Sequence, residues 1–588
     1  MRRFAAGLAL AGLAFAALPL QAEPQANKAL IEQAQAAIDR RDGVDAEVKL
    51  GRALSQGVPR HAIAALMGEA LLLRNAPERA RQWLEPQQFA PDTAFAGFRA
   101  LAQLEQRDGN LPAAGKAYDK ALKVEPHNAA LWVEIGRLRY QGGQHALAIE
   151  AADKAILLDP EDVSALLFRG QLVRDGYGLR AALPWFETAL SHDAENVTVL
   201  LEYAATLGEL NRATEAVVVT RRALELSPGN PQAYFIQAVI AARAGNFELA
   251  RALLNRTGNK LASVPAVRLF EATLELASGN PAVAAEQLEL VLERRPDNDR
   301  ARNLLARALF LGGEFRYLTR RMATAVGSAG ADPYLLTTVA RAYEALGERD
   351  RAAVLLDRAA VPRSASFYTG ADKGAIGELL ARGKTRDAEQ LAEARRRALP
   401  GNRENLLAAG DVQLALGNAE EADLRYAAAG AIRMSDGILM RRFQAMLMTQ
   451  DLPGAEALVR AYLSQTPTSR TAMRLAAVLA VQANDAARAE AILEYLARTG
   501  SGRDVQLLAD LAVVEVGSGD VADGEVEARA AYDLQRANPV AAQALGLALA
   551  KSGRKPQEAA ALLDKARTLM GDNPLIAEAR LRLADTRG

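Results

Sequence analysis

The stretch that most resembles a ligand-binding or catalytic motif lies at 377–385 and has the sequence GELLARGKT. Two glycines followed by Lys384 and Thr385 suggest a loop that surrounds phosphate groups with backbone amides and a lysine. However, five residues separate the glycines where the motif has four, and no strand is predicted before them. Because such a loop needs a strand before it and a helix after it, we interpret the stretch as a helix end followed by a turn.

Metal binding and covalent catalysis also have little support. The four histidines are scattered through the chain, and no pair stands at i and i+4 beside a carboxylate, as a metal site requires. The absence of cysteine excludes disulfides, thiolate ligands and a cysteine nucleophile. We therefore predict a protein that is not an enzyme and that holds no cofactor and no metal.

The charge balance excludes another class of partner. Basic and acidic residues are equal in number, 71 of each, so the chain has no overall charge that would attract nucleic acid or an anionic membrane. Binding specificity must then come from local patches, and we predict no nucleic-acid partner.

The N-terminus has the order of a secretory signal peptide. Arg2 and Arg3 precede the apolar stretch 4–18, and residues 20–22 end in a small residue, so we predict cleavage after Ala22. A retained membrane anchor is the alternative. No later segment approaches about 20 uninterrupted apolar residues, so no stable membrane insertion is expected after cleavage. The predicted location is the periplasm or the exterior.

The elements that would have to position any functional site follow a sequence pattern that repeats every 34 residues. One column of small residues consists of Ala114, Ala148, Ala182, Ala216, Ala250, Ala284, Leu318 and Ala352. Five residues earlier, a turn column consists of Gly109, Gly143, Tyr177, Asn211, Gly245, Gly279, Gly313 and Gly347. Near the unit ends stand Pro126, Pro160, Pro228 and Pro296.

Each column has a physical reason. The turn column predicts a left-handed or otherwise open backbone that ends a first helix. The small column predicts a second helix that crosses its neighbour too closely for a larger side chain. The prolines end the second helix, since proline cannot donate the interior hydrogen bond. One such unit cannot bury its own apolar stripe, so stability must come from stacked neighbours.

This pattern resembles the tetratricopeptide repeat family. The unit at 129–162 carries Trp132, Gly136, Gly143 and Ala148 at the signature places of the family, although Arg139 replaces the usual aromatic residue. The resemblance implies an all-α fold, a right-handed α-solenoid of roughly sixteen antiparallel helix pairs.

The repeats also predict the domain organisation. After a signal peptide at 1–22 we expect weaker repeats at 23–94, a core array at 95–361, a break in register at 362–376, a C-terminal array at 377–572 and a capping helix at 573–588. The break is either a hinge or a longer turn between repeats.

The resemblance implies that the first helices line a concave groove for a protein or peptide. The residues expected to contact a partner there are Glu134, Arg137, Tyr140, Leu167, Phe168, Leu201, Phe235, Ile236, Leu269, Phe270, Arg307 and Arg341. An apolar strip flanked by basic groups suits an amphipathic helix or an extended peptide. The alternative is that the apolar members pack between adjacent first helices.

Two functions remain open from the sequence. The first is a periplasmic scaffold for protein–protein interactions, similar to exported arrays of this family that act in exopolysaccharide or cell-envelope assembly and export. The second is a carbohydrate-binding solenoid that guides a polysaccharide through the periplasm. The second would need aromatic platforms and carboxylates along the groove, whereas the strip is short and largely aliphatic.

Overall fold

The computed structural model describes residues 22–328, 331–360, 375–499 and 504–585. The predicted signal peptide, apart from Ala22, lies outside the described residues. So do nearly all of the predicted break at 362–376 and the last residues of the predicted cap.

The described residues form helices and contain no strand. The first helices of successive pairs are α1 (Ala22–Asp39), α3 (Arg60–Leu73), α5 (Ala94–Arg107), α7 (Ala129–Gln141), α9 (Val163–Tyr177), α11 (Val197–Glu209), α13 (Pro231–Arg243), α15 (Pro265–Ala277), α17 (Asp299–Leu311), α20 (Pro333–Ala345), α22 (Ala375–Ala381), α24 (Arg403–Ala415), α26 (Asp436–Met448), α28 (Arg470–Gln482), α30 (Val505–Ser518) and α32 (Pro539–Ser552).

The second helices are α2 (Gly43–Ser55), α4 (Pro77–Leu84), α6 (Leu111–Val124), α8 (His145–Leu158), α10 (Leu179–His192), α12 (Ala213–Leu226), α14 (Phe247–Asn255), α16 (Pro281–Arg294), α18 (Phe315–Arg321) with α19 (Ala323–Gly327), α21 (Arg349–Ala360), α23 (Thr385–Ala398), α25 (Ala419–Ile432), α27 (Leu452–Gln465), α29 (Ala486–Arg498), α31 (Val521–Leu534) and α33 (Pro556–Met570). A final helix, α34 (Pro574–Asp585), follows. The all-α solenoid architecture predicted from the repeats is confirmed, and the helices of the described residues form sixteen pairs and this last helix.

The turn column ends the first helices as predicted. Seven of its eight residues have φ between 63° and 80°, the left-handed region that glycine and asparagine tolerate best. The eighth position, Tyr177, needs correction. Helix α9 extends through Tyr177, and Gly178, with φ 110°, makes the turn one residue later.

The small column lies where the helices of neighbouring repeats meet. Its alanines are 0% or 1% exposed, so a larger side chain has no free volume there. The exception is Leu318, which is also fully buried and lies in the second helix that is interrupted between α18 and α19. The prolines lie two residues beyond the ends of α6, α8, α12 and α16, as their missing amide hydrogen requires.

Of the described residues, those up to 142 together with 147–160 form one compact unit, and 143–146 together with those from 161 onward form another. The first unit has one continuous apolar core from Ala34 to Leu138, with Tyr118 and Leu131 among its largest buried side chains. The second unit buries a succession of smaller clusters, each shared by neighbouring pairs. At its end, Ile576, Ala579 and Leu583 of α34 are buried against α32 and α33.

Close packing inside one pair depends on a glycine of the first helix. A Cβ atom on Gly170 would lie 2.7 Å from Cε1 of Phe186, on the second helix of the same pair. The glycine therefore allows the fully buried aromatic ring to fill the space between the two helices. None of the helices in the described part of the chain combines the length and the hydropathy that a membrane span requires.

Candidate interaction surface

The stretch that resembles a phosphate loop is part of a helix–turn–helix. Helix α22 ends before Gly383, whose φ is 70°, and Lys384 precedes the first residue of α23. No strand leads into the turn, so the backbone that would surround a phosphate is absent from these described residues. The interpretation as a helix end and a turn is confirmed.

In the first unit, the predicted groove residues on α7 belong to a polar network. Glu134 accepts hydrogen bonds from Nε and Nη2 of Arg99 on α5, at 2.8 and 2.5 Å, and from the Gln103 amide. This pairing raises the pKa of Arg99. Arg137 is exposed and Tyr140 is half-buried, and both take part in further interactions. The network joins neighbouring first helices of this unit.

In the second unit, three residues of the predicted strip lie in the core. Leu167, Phe168 and Leu201 are 7%, 4% and 6% exposed. The expectation that they face a partner is corrected, because all three side chains are buried within the chain. For Leu201, which clusters with Ala233 of the next first helix, α13, the alternative of packing between adjacent first helices describes the structure.

Four other residues of the strip remain accessible. Phe235 and Ile236 on α13 and Leu269 and Phe270 on α15 are half-buried. The rings of Phe235 and Phe270 meet edge to face, with centroids 5.6 Å apart and an interplanar angle of 88°. Each ring also packs on the cluster around Ala238 and Val267. We call these four residues the α13–α15 strip.

The next two first helices line an open pocket of about 470 Å³. Arg300, Asn303, Leu304 and Arg307 of α17 line it, and Tyr334 of α20 closes one side. Arg300 and Arg307 are exposed, and neither has a hydrogen-bond or ion-pair partner among the described residues. We call this feature the α17–α20 pocket. It contains Arg307, one of the predicted residues.

Arg341, the other predicted arginine, has a different role. Its Nη1 atom lies 2.8 Å from Glu344 and its Nη2 atom donates to the carbonyl of Leu534, at 2.6 Å. Both nitrogens are therefore engaged within the chain.

Arg300, Leu304 and Tyr334 were missed as candidate residues by the sequence analysis. Arg300 and Tyr334 stand 34 residues apart, at the second place of their repeats, which is among the places expected to face the groove. Leu304 follows Phe270 by one period. The signal was therefore present in the repeat register, which places all three residues on the groove-facing side of their first helices.

Comparison with known proteins supports the repeat assignment. The family model for the tetratricopeptide repeat matches residues 99–163, 135–196, 204–259 and 271–315. No curated protein matches the chain.

The chain is also similar to several solved structures. The APC/C hetero-tetramer Cut9–Hcn1 is 12% identical over 95% of this chain and 96% of that chain, with a TM-score of 0.41. A tetratricopeptide repeat protein from Parabacteroides merdae is 18% identical over 48% of this chain and 99% of that chain, with a TM-score of 0.33. YrrB, described as a TPR protein with an unusual peptide-binding site, is 19% identical over 29% of this chain and 88% of that chain, with a TM-score of 0.24.

The matched segments contain helix pairs whose turn column, apart from Tyr177, and small column have the expected backbone and burial. In four segments between residues 99 and 315, the chain therefore matches the family model of the tetratricopeptide repeat.

Proposed function

We propose that this chain is a scaffold that binds a segment of another protein on the α13–α15 strip and the neighbouring α17–α20 pocket, and that it is not an enzyme. Tetratricopeptide repeat proteins serve as scaffolds for protein–protein interactions. The observation that carries the proposal for this chain is the partial exposure of four large apolar side chains beside two arginines without partners among the described residues.

Burial of this strip by a partner would be favourable. Each Å² of apolar surface removed from water contributes about 25 cal/mol, so four half-buried side chains supply a useful part of a binding free energy. The edge-to-face contact of Phe235 and Phe270 holds the rings in one arrangement before binding, which lowers the entropy lost by ordering them. An amphipathic segment fits such a surface.

The partner test compares the full mature chain with two variants. Phe235→Glu and Phe270→Glu should each abolish capture of proteins from an envelope extract, because a buried carboxylate opposes contact with an apolar segment. Val283→Glu is the matched control, since Val283 is 46% exposed on the second helix α16. Circular dichroism must show that each variant is folded.

Two results would contradict the scaffold proposal. One is a folded Phe270→Glu variant that captures the same proteins as the parent chain. The other is capture of a glycan without any protein, which would favour the polysaccharide-guiding alternative.

We also propose export to the periplasm and a place in exopolysaccharide or cell-envelope assembly. The basic, apolar and small-residue order of 1–22 supports export. Fractionation and N-terminal sequencing should find a chain that starts at Glu23, and Ala22→Arg should block its processing. An unprocessed chain in the cytoplasm would contradict export, and captured proteins without any synthesis or export component would contradict the pathway.

A further inference from the structure

The α17–α20 pocket has an unbalanced charge in a chain whose total charge is balanced. Arg302, on the same helix, is paired with Asp299 and with the carbonyl of Pro296. Arg300 and Arg307 have no such partner among the residues that the structure describes. Two guanidinium groups in one pocket repel each other weakly in solvent, and a bound anion would offset this repulsion.

The geometry of α17 places these arginines on one face. Residues seven apart in a helix lie two turns apart, about 10 Å along the axis, and point in nearly the same direction. Asn303 and Leu304 lie between them in the same pocket. A guanidinium group donates two parallel hydrogen bonds to a carboxylate, which makes arginine well suited to bind this anion.

An acidic residue, Asp332, approaches the pocket through its contact with Asn303. Oδ1 of Asp332 accepts a hydrogen bond from the amide of Tyr334, at 2.7 Å, and so caps α20. Oδ2 of the same residue accepts one from the side-chain amide of Asn303, at 3.0 Å. Both oxygens are engaged, and Asp332 forms no ion pair with either arginine.

The repeat register makes the pocket continuous with the α13–α15 strip. Asn303 and Leu304 stand one period after Leu269 and Phe270, at the equivalent places of the next repeat. A segment lying along the first helices would therefore pass from the apolar strip into the basic pocket.

We propose that the α17–α20 pocket binds the side-chain carboxylate of an Asp or Glu in a protein segment whose apolar residues lie on the α13–α15 strip. This inference rests on the proposed scaffold function and names the chemistry of the partner. The strip favours a peptide over an acidic polysaccharide, because its rings meet edge to face among aliphatic side chains and present no flat polar-edged platform for a sugar.

The test begins with random peptides displayed on phage and selected on the full mature chain. We expect enriched peptides to combine apolar residues at helical spacing with an Asp or Glu on one side of them. An enriched peptide is then synthesised with its acidic residue and with the matching Gln or Asn. The amide version should bind about tenfold more weakly, as expected for loss of a charged hydrogen bond.

Variants of the protein test whether the preference for the acidic peptide arises in the α17–α20 pocket. The double variant Arg300→Ala with Arg307→Ala should weaken binding of the acidic peptide about tenfold and leave the amide peptide unchanged, which is the signature of a direct pairing. Arg307→Lys keeps the charge but loses the paired donors, so it should give an intermediate affinity. Arg316→Ala is the matched control, because Arg316 is exposed on α18, the second helix of the same pair, and its guanidinium group has no partner among the described residues.

The possible failures are distinct. Apolar peptides enriched without an acidic residue, or equal affinity of the acidic and amide peptides, would overturn the pocket assignment and leave the scaffold function standing. A selection that enriches nothing would overturn both. Binding of polygalacturonate that depends on Arg300 and Arg307, with no peptide enriched, would show that the partner is an acidic polysaccharide and not a peptide.

Discussion

The backbone amide of Met434 donates a hydrogen bond to the carbonyl of Asp175, at 2.6 Å, and so joins two repeats that are far apart in the chain. Asp175 lies in the last turn of α9, where carbonyls have no partner within the helix. Met434 follows the end of α25, where its amide is likewise free of the helix. Beside this bond, Oε1 of Gln465 accepts the amide of Ala181, at 3.0 Å.

Replacement of Gly178 should open this long-range contact. A Cβ atom there would lie 2.6 Å from Cβ of Gln465, and the φ of 110° adds backbone strain, so Gly178→Ala should destabilise the contact by about 1–3 kcal/mol. Hydrogen exchange at the Met434 amide should become faster. Gly245→Ala is the control, because Gly245 has φ 78° but open space around it. Equal exchange of Met434 in both variants would contradict the contact.

The ion pair between Asp411 and Arg441 is buried in the core of the second unit. Arg441 Nε lies 2.9 Å from Oδ1 of Asp411, which also accepts the hydroxyl of Tyr426 at 2.8 Å. Burial and the neighbouring carboxylate raise the pKa of Tyr426, so its hydroxyl stays a donor.

Loss of one partner of this pair should cost more stability than loss of both. Asp411→Leu leaves a buried arginine without its counter-charge and should lower the free energy of unfolding by about 3–5 kcal/mol. Asp411→Leu combined with Arg441→Met should recover most of that loss. Urea denaturation measures both, and an equal or larger loss in the double variant would show that the pair itself stabilises the fold.

Glu515 should make stability depend on pH. It is 6% exposed, its Oε2 atom has no hydrogen-bond partner, and burial followed by repulsion from Glu527 and Glu490 raises its pKa to about 7. The unfolded chain loses this proton near its ordinary value of 4.5. Between these values the folded state binds more protons than the unfolded state, so stability falls as pH rises and then stays constant above about 7.

Glu515→Gln should remove this pH dependence. The variant should be more stable than the parent chain at pH 8, by up to about 3 kcal/mol, because the amide cannot ionise. At pH 4 the carboxyl is protonated and the two chains should have nearly equal stability. Thermal melting at both pH values measures the stability difference between the two chains. An equal difference at pH 4 and pH 8 would show that ionisation of Glu515 is not its cause.

The small column should not tolerate leucine where its helix is regular. Ala284 is 0% exposed on α16, so Ala284→Leu should cost about 1–3 kcal/mol through overpacking. Ala282→Leu, on an exposed position of the same helix, should have almost no effect. Thermal melting of the two variants makes the comparison, and equal melting temperatures would contradict the close helix crossing.

The sequence by itself determined the repeat length, the turns between paired helices and the small residues at helix crossings. These features depend on local backbone preference and on side-chain size, which return every 34 residues in the same surroundings. The turn at Gly109 and the helix crossing at Ala114 could therefore be assigned from residue type and spacing alone. The one-residue displacement from Tyr177 to Gly178 shows the usual uncertainty at a helix end.

Only the tertiary structure decided which members of the predicted strip reach the surface. Phe168 and Phe270 have the same residue type, in the same array and on the same kind of helix, yet one is buried and the other is half-buried. Helix α9, which carries Phe168, also contacts α25 of a distant repeat, whereas Phe270 packs on a cluster shared by neighbouring repeats. Which distant elements meet depends on side chains from several repeats at once. The same reason explains why Arg341 is paired with distant Leu534 while Arg307, one repeat earlier, faces an open pocket.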